Sequence, residues 1–372
     1  MRIGVPKETL RHEHRVGLNP FAVSQLTNLG HEVLIERDAG KDAHFADEDF
    51  TKAGASIVHT ADEVYQRADI VCRVSSLSAE EVKLLRPETT ICGFHHLAVA
   101  TRDALQQLME RRVTMIGYEI IHHGADHRPV LAALSEIAGH MVVQTAGHLL
   151  EHEQGGRGII LGAAPGVPPA TVVILGAGIS GRAAARHFTT IGAHVILMDH
   201  ELEKLRDAMA HSCHDCVTVV STPRNLDRFT AIADVIVGAI LIPGARAPFV
   251  VTEDMVRRMK PGSVIIDLSI DQGGCVETSR PTSPDHPTFK VHGVTHFCVP
   301  NMTANAPRAA SRALALSALP YLTRLAGDGV DAALRADEGL ARGVYMYRGK
   351  LVNDLAASAL GAPVARLSEL LK

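Results

Sequence analysis

Twice along this chain, short apolar runs rich in β-branched residues alternate with longer amphipathic stretches, and that double alternation limits the fold more than any other feature. Strand, helix, strand in succession makes a parallel pair, so the repeated alternation specifies parallel sheets covered by helices on both faces. The first series has the strand candidates RIGVP (2–6), EVLIE (32–36), SIV (56–58), DIVCRV (69–74), TICGF (90–94) and TMIGYE (114–119). The second has TVVILG (171–176), HVILMD (194–199), VTVVS (217–221), DVIVGAI (234–240) and SVIIDL (263–268). The fold class expected is α/β, with two Rossmann-like doubly wound domains, because 372 residues exceed the ~250–300 at which one core stops growing.

Between the series, LSEIAGHMVVQTAGHLLEHEQ (134–154) has apolar residues at helical spacing and reads as a long joining helix, stopped at Gly155 and Gly156. After Asn301, ANAPRAASRALALSALPYLTRLAG reads as a second long helix, broken or kinked at Pro320. A return of that helix to the first domain divides the chain into a discontinuous substrate domain, 1–130 plus 306–372, and a dinucleotide domain, 131–305.

Charge narrows the partners. Lys plus Arg (37) and Asp plus Glu (41) nearly cancel and no like-charge run occurs, which argues against a nucleic-acid or anionic-membrane surface. The start MRIGVPKE lacks the order of a signal peptide and no apolar run reaches ~18 residues, so the expectation is a cytoplasmic protein without a membrane span. Six cysteines in so long a chain make no disulfide scaffold, and the one CxxC, Cys213 with Cys216, reads as structural.

The motif with most chemistry is VVILGAGISGRAAARHF, a G-x-G-x-x-G at Gly176, Gly178 and Gly181 that follows a strand and opens a helix. Gly176 permits a tight turn, Gly178 lets a pyrophosphate approach the backbone, and Gly181 lets helix and strand pack. The next strand ends in Asp199, 23 residues after Gly176, where a carboxylate binds ribose hydroxyls. It would repel a 2′-phosphate, so the cofactor expected is NAD and not NADP; a flavin dinucleotide or a turn without ligand are the competing readings.

Three further stretches carry candidates. IIDLSIDQGG (265–274) runs a buried strand into Asp271, either beside the nicotinamide or as a turn cap. GFHHLA (93–98) puts His96 at a strand end, where a neutral imidazole suits proton transfer. PKETLRHEHRVGLNP (6–20) offers Lys7, Arg11 and Arg15, one of which suits a substrate carboxylate. HHGADH (122–127) has no regular ligand spacing, and no metal is expected.

These residues bear a resemblance. RIGVPKE with HRVGLNP, FHHLA, SEIAG, QGGRG, PGVPPATVVILGAG, VGAILIPGARAP, MKPGSVIIDLSIDQGGC, SRPTSPDHPTF and VPNM match, in order, the alanine dehydrogenase and nicotinamide nucleotide transhydrogenase family. FHHLA, IDQGGC and DHPTF resemble the alanine dehydrogenase branch. The resemblance implies an active site in the cleft between the domains and a homo-oligomer, commonly a hexamer. It also implies the reversible reaction of L-alanine, NAD and water to pyruvate, ammonium and NADH. By position, Arg15 would bind the substrate carboxylate, His96 would be acid and base at the substrate oxygen, and Asp271 would orient water or ammonia. Cofactor contacts would fall on Ser135, Gly178, Asp199, Lys204, Ser221, Ile270 and Asp271, with Asn301 and Met302 near the nicotinamide.

One strand end departs from the family. Where alanine dehydrogenases usually read lysine-valine-lysine-glutamate-proline, with the second lysine on the substrate, this chain reads Arg73, Val74, Ser75, Ser76, Leu77. A lost charge-assisted hydrogen bond costs about 1.5 to 3 kcal/mol. Either Arg73 or another base replaces the charge, or the substrate is a different small amino acid, or the chain is a weakened homologue that binds NAD in a binding or assembly role.

Overall fold

The central β-branched runs become strands whose side chains are buried on both faces, as parallel strands sandwiched by helices must be, while the edge runs 56–58 and 217–220 are partly exposed. The structure, a computed structural model, describes residues 1–95, 97, 102–124, 127–242 and 246–372. The chain folds into two units, Met1–Leu134 with Ala304–Lys372, and Ser135–Thr303.

In the first unit, β1 (Arg2–Val5), β2 (Glu32–Glu36), β3 (Ser56–Val58), β4 (Ile70–Cys72), β5 (Thr90–Gly93) and β6 (Thr114–Gly117) are all parallel. β1 lies between β2 and β4, so the chain runs outward to β3 on one side and to β6 on the other. That reversal makes a crevice at the carboxyl ends of β1 and β4, the usual ligand position of such sheets.

The second unit repeats the plan. Its parallel strands are β7 (Thr171–Leu175), β8 (His194–Asp199), β9 (Val217–Val220), β10 (Val235–Gly238), β11 (Val264–Asp267) and β13 (Val294–Phe297), with β12 (Thr288–Val291) antiparallel at the edge. The order β12-β13-β11-β10-β7-β8-β9 puts the reversal between β7 and β10. Alternate residues supply two cores: Val172, Ile174, Val195 and Leu197 pack on one face, Val173, Leu175, Ile196 and Met198 on the other.

Two hairpins were not expected from the alternation. β12 and β13 are joined by His292 and Gly293, both at positive φ (50° and 77°). The first unit closes its sheet with β14 (Val344–Tyr347), antiparallel to β6, and β15 (Lys350–Leu351), joined by Arg348 and Gly349 at φ 45° and 79°. Two central residues at positive φ suit the right-handed twist of a two-residue hairpin.

The helix expected at 134–154 runs over Pro129–Leu149, followed by a short 3-10 turn at His152–Gln154. The helix after Asn301 spans Pro307–Asp328 and continues through Pro320. Pro320 and Leu316, whose carbonyl loses its partner, are both exposed, so water satisfies what the missing N–H leaves. No helix among the described residues is long and apolar enough to cross a membrane.

Candidate functional site

The glycine turn of the second unit is built as its spacing requires. Gly176 has φ 105°, and a Cβ there would lie 2.5 Å from the Ala239 carbonyl oxygen at the end of β10. A Cβ on Gly181 would overlap the Gly176 carbonyl oxygen, so this residue sets the approach of the helix Ile179–Thr190. Gly178, the N-cap of that helix, has nothing within 4 Å of its Cβ position. The turn therefore keeps open space at the positive end of a helix, where an anion is favoured.

Asp199 ends β8 beside that turn and is buried. Its Oδ2 accepts the Ala177 N–H at 2.7 Å and its Oδ1 accepts the Glu201 N–H at 2.9 Å. These bonds fix the carboxylate, and although His200 Nδ1 also lies 3.2 Å from Oδ1, a lone pair on Oδ2 is left, since a carboxylate accepts about four hydrogen bonds. The Ser221 N–H donates to the Asp199 carbonyl at 2.9 Å, and Lys204 Nζ lies 2.6 Å from Glu201 Oε1. Ser135 is half-buried on the helix Pro129–Leu149.

The strand β11 delivers Ile270 and Asp271 on a 3-10 turn, Leu268–Gln272, at the same carboxyl edge. Ile270 is buried and Asp271 exposed. Asp271 Oδ1 accepts the Asn301 N–H at 2.9 Å, and Asn301 sits in the left-handed region at φ 53°. Met302, next in the chain, is buried. The fold thus brings Asp271 and Asn301 together, and separately Gly176, Asp199 and Ser221.

In the first unit the β1–β4 crevice holds two buried ion clusters. Glu8 accepts the Val74 N–H at 2.7 Å and the Ser75 N–H at 3.3 Å, and its Oε2 lies 3.0 Å from Arg73 Nη2. Arg73 Nη1 lies 2.6 Å from both Tyr65 Oη and Glu81 Oε1, and this guanidinium is fully buried. Desolvation opposes its charge, but Glu8, Tyr65 and Glu81 outweigh it and raise the pKa. Burial raises the Glu8 carboxyl more than Arg73 lowers it.

The second cluster is Arg15, Glu13 and Ser75. Arg15 donates from Nε (2.7 Å) and Nη2 (2.5 Å) to the two oxygens of Glu13, and Ser75 Oγ donates to Glu13 Oε2 at 3.0 Å. Burial raises the Glu13 carboxyl, but Arg15 and Ser75 more than offset it and hold the group below its ordinary value. The loop carrying them lies against β4, since a Cβ on Gly17 would lie 2.5 Å from the Cys72 carbonyl oxygen.

His96 lies outside the described residues; its neighbour His95 is buried, and the His95 N–H donates to Glu119 Oε1 at 3.1 Å. Two participants escaped the sequence reading. Glu8 and Glu13 sit in the quoted stretch after β1, and the one signal for them was that buried arginines at 15 and 73 need carboxylates. The CxxC pair is buried, with Cys216 Sγ donating to the Cys213 carbonyl at 3.1 Å.

Two doubly wound units, one with a complete glycine turn and its carboxylate, place the chain among Rossmann-like oxidoreductases. Residues 4–138 match the model of the alanine dehydrogenase/PNT N-terminal domain and residues 142–354 that of the C-terminal domain. The chain is 42% identical over 363 residues to an alanine dehydrogenase of Mycobacterium tuberculosis (98% of each chain), and 39% identical over 371 residues to that of Mycolicibacterium smegmatis (100% of each). Among solved structures it resembles an L-alanine dehydrogenase, with a TM-score of 0.92, 40% identity, and coverage of 97% of this chain and 99% of the other. A transhydrogenase from Sinorhizobium meliloti, 24% identical, shares the fold with a TM-score of 0.80 over 95% of this chain and 99% of that one. The chain belongs to the alanine dehydrogenase/PNT family.

Proposed function

We propose that this protein is an NAD-dependent amino acid dehydrogenase that converts L-alanine, or a related small L-amino acid, reversibly to the 2-oxo acid and ammonium. The observation that carries the reading is the buried Arg15 held in a fixed fork by Glu13 at a sheet switch point, in a chain 42% identical over its length to an alanine dehydrogenase. A fixed guanidinium fork is matched to a carboxylate, which every amino acid and 2-oxo acid carries.

The residues of the second unit fit a dinucleotide. The open space over Gly178 receives the pyrophosphate, Asp199 accepts from the adenosine ribose, and Ser135, Gly176, Gly181, Lys204, Ser221, Ile270, Asn301 and Met302 complete the cofactor contacts. A buried carboxylate at Asp199 repels a 2′-phosphate, hence NAD and not NADP. NAD, when bound, accepts the hydride from the substrate α-carbon.

Arg15 holds the substrate carboxylate, with Ser75 beside it. His96 takes the proton that leaves the substrate oxygen in the carbinolamine step and returns it in reverse. Asp271 orients the attacking water or ammonia, which its exposed position permits. The same proposal includes the discontinuous substrate domain, a homohexamer and a cytoplasmic location.

A second reading is favoured by one observation. Arg73 does not replace the family lysine, because its guanidinium is enclosed by Glu8, Tyr65 and Glu81. Unless another base supplies that charge, the substrate differs from alanine or turnover is weak. Purified protein with NAD or NADP and a panel of L-amino acids at alkaline pH separates the readings. NADH formation with small L-amino acids supports the enzyme, and NAD binding without turnover on any of them supports the weakened homologue.

A further inference from the structure

The loop that presents Asp271 is organised around a different carboxylate. Asp267, the last residue of β11, is buried and takes no part in the chemistry proposed above. Its Oδ1 accepts the Ser269 N–H at 3.0 Å, capping the turn Leu268–Gln272. Its Oδ2 accepts the Cys275 N–H at 3.0 Å and the Val276 N–H at 3.4 Å, and Cys275 Sγ lies 3.5 Å from Oδ1. One side chain therefore ties down both ends of the segment, at Ser269, two residues before Asp271, and at Cys275 and Val276, four and five residues beyond it.

The surroundings are shaped to admit it. A Cβ at Gly238, the end of β10, would lie 2.7 Å from Asp267 Oδ1 and 2.5 Å from Cys275 Sγ. A Cβ at Gly274, where φ is 81°, would lie 3.0 Å from Oδ2. The same segment is tied to the strand-end of β10 by the Ile240 N–H donating to Ser269 Oγ at 2.9 Å. A buried carboxylate costs desolvation, and here backbone donors on two sides of one turn offset part of it, burial still raising the Asp267 carboxyl.

We infer that Asp267 is the positioning residue of this site: by accepting backbone N–H groups at both ends of the 268–276 loop, it fixes the turn that aims Asp271. The inference rests on the role proposed for Asp271. Asp271 stands on the turn that Asp267 caps, and from there its Oδ1 accepts the Asn301 N–H at 2.9 Å. A displacement of about 1 Å at such a group slows turnover by up to ~100-fold.

Asp267→Asn keeps the shape but turns an NH2 toward N–H donors. The expected result is a kcat for L-alanine at least ~10-fold lower per NADH-binding site, NADH affinity within about 2-fold of wild type, and a deuterium isotope effect on kcat with α-deuterated alanine that falls toward unity, because attack by water and not hydride transfer then limits the rate. A purely structural role would leave kcat per binding site and the isotope effect unchanged, and that result overturns the inference. Loss of NADH binding together with kcat overturns it too, because the loop would then serve the cofactor. If Asp267→Asn does not fold, Gly274→Ala presses on the same carboxylate and is read by the same outcomes. Asp271→Asn separates the two claims. If it is slow while Asp267→Asn is normal, only the positioning role fails; if it keeps wild-type kcat, the role of Asp271 fails and the inference with it.

Discussion

Ser75 Oγ donates to Glu13 Oε2 at 3.0 Å, on the same carboxylate that grips Arg15 through Nε and Nη2. At the position where the resemblance implies a lysine, the chain thus has a neutral donor directed at the carboxylate that holds Arg15, the residue proposed to bind the substrate. Relative to the family pattern, this strand end has one positive charge fewer.

Restoring that charge should restore the family's activity. Ser75→Lys is expected to raise kcat/KM for L-alanine about 10-fold, the effect of one charge-assisted hydrogen bond of ~1.5 kcal/mol. Steady-state kinetics check it. An unchanged or lower value means that the pocket is shaped for another ligand.

Arg15→Ala should damage stability as well as activity. Glu13 is fully enclosed, and removing its guanidinium leaves a buried charge that costs about 3 to 5 kcal/mol. Denaturant unfolding of Arg15→Ala, Glu13→Gln and the double variant should show the double variant less destabilised than the sum of the two singles.

The two glycines of the turn should separate folding from binding. Gly181→Ala forces a Cβ onto the Gly176 carbonyl and should cost about 1 to 3 kcal/mol of stability. Gly178→Ala meets nothing within 4 Å, so its melting temperature should hold while NADH binding, followed by fluorescence, weakens. Equal effects of both on stability would contradict the assignment of Gly178 to the cofactor.

One acid-sensitive contact is predicted. The rings of His140 and His187 lie 3.3 Å apart between centroids, and burial, then His140 and Arg186, lower the His187 pKa to about 4. Its folded pKa is below the unfolded value of ~6.5, so its contribution is complete above that value and lost as pH falls toward about 4. His187→Gln should flatten the stability profile over that window by on the order of 1 kcal/mol, discounted for solvent screening. Denaturant midpoints across the window measure it.

The fold was legible where the signal is local. Every strand expected from the two alternating series forms, because buried parallel strands read as short β-branched runs. The glycine turn was equally plain, since each glycine answers a constraint within its own turn. The edge hairpins were missed because their turns are His292-Gly293 and Arg348-Gly349, which lack the usual Asn or Asp before glycine. The helix runs through Pro320 without a break because a proline on a solvent-facing helix surface leaves its orphaned carbonyl to water. The partners of Arg15 and Arg73 were hidden for another reason. Glu8 meets Arg73 across 65 residues, and nothing in local periodicity reports a contact that strand order creates.

The most direct test of the dehydrogenase account is to incubate the wild-type protein with NAD and L-alanine and to measure NADH and pyruvate together. The account predicts that both form in equal amounts, and that Arg15→Ala abolishes both while leaving NADH binding intact. NADH binding with neither product, from alanine or from any other small L-amino acid, would contradict it.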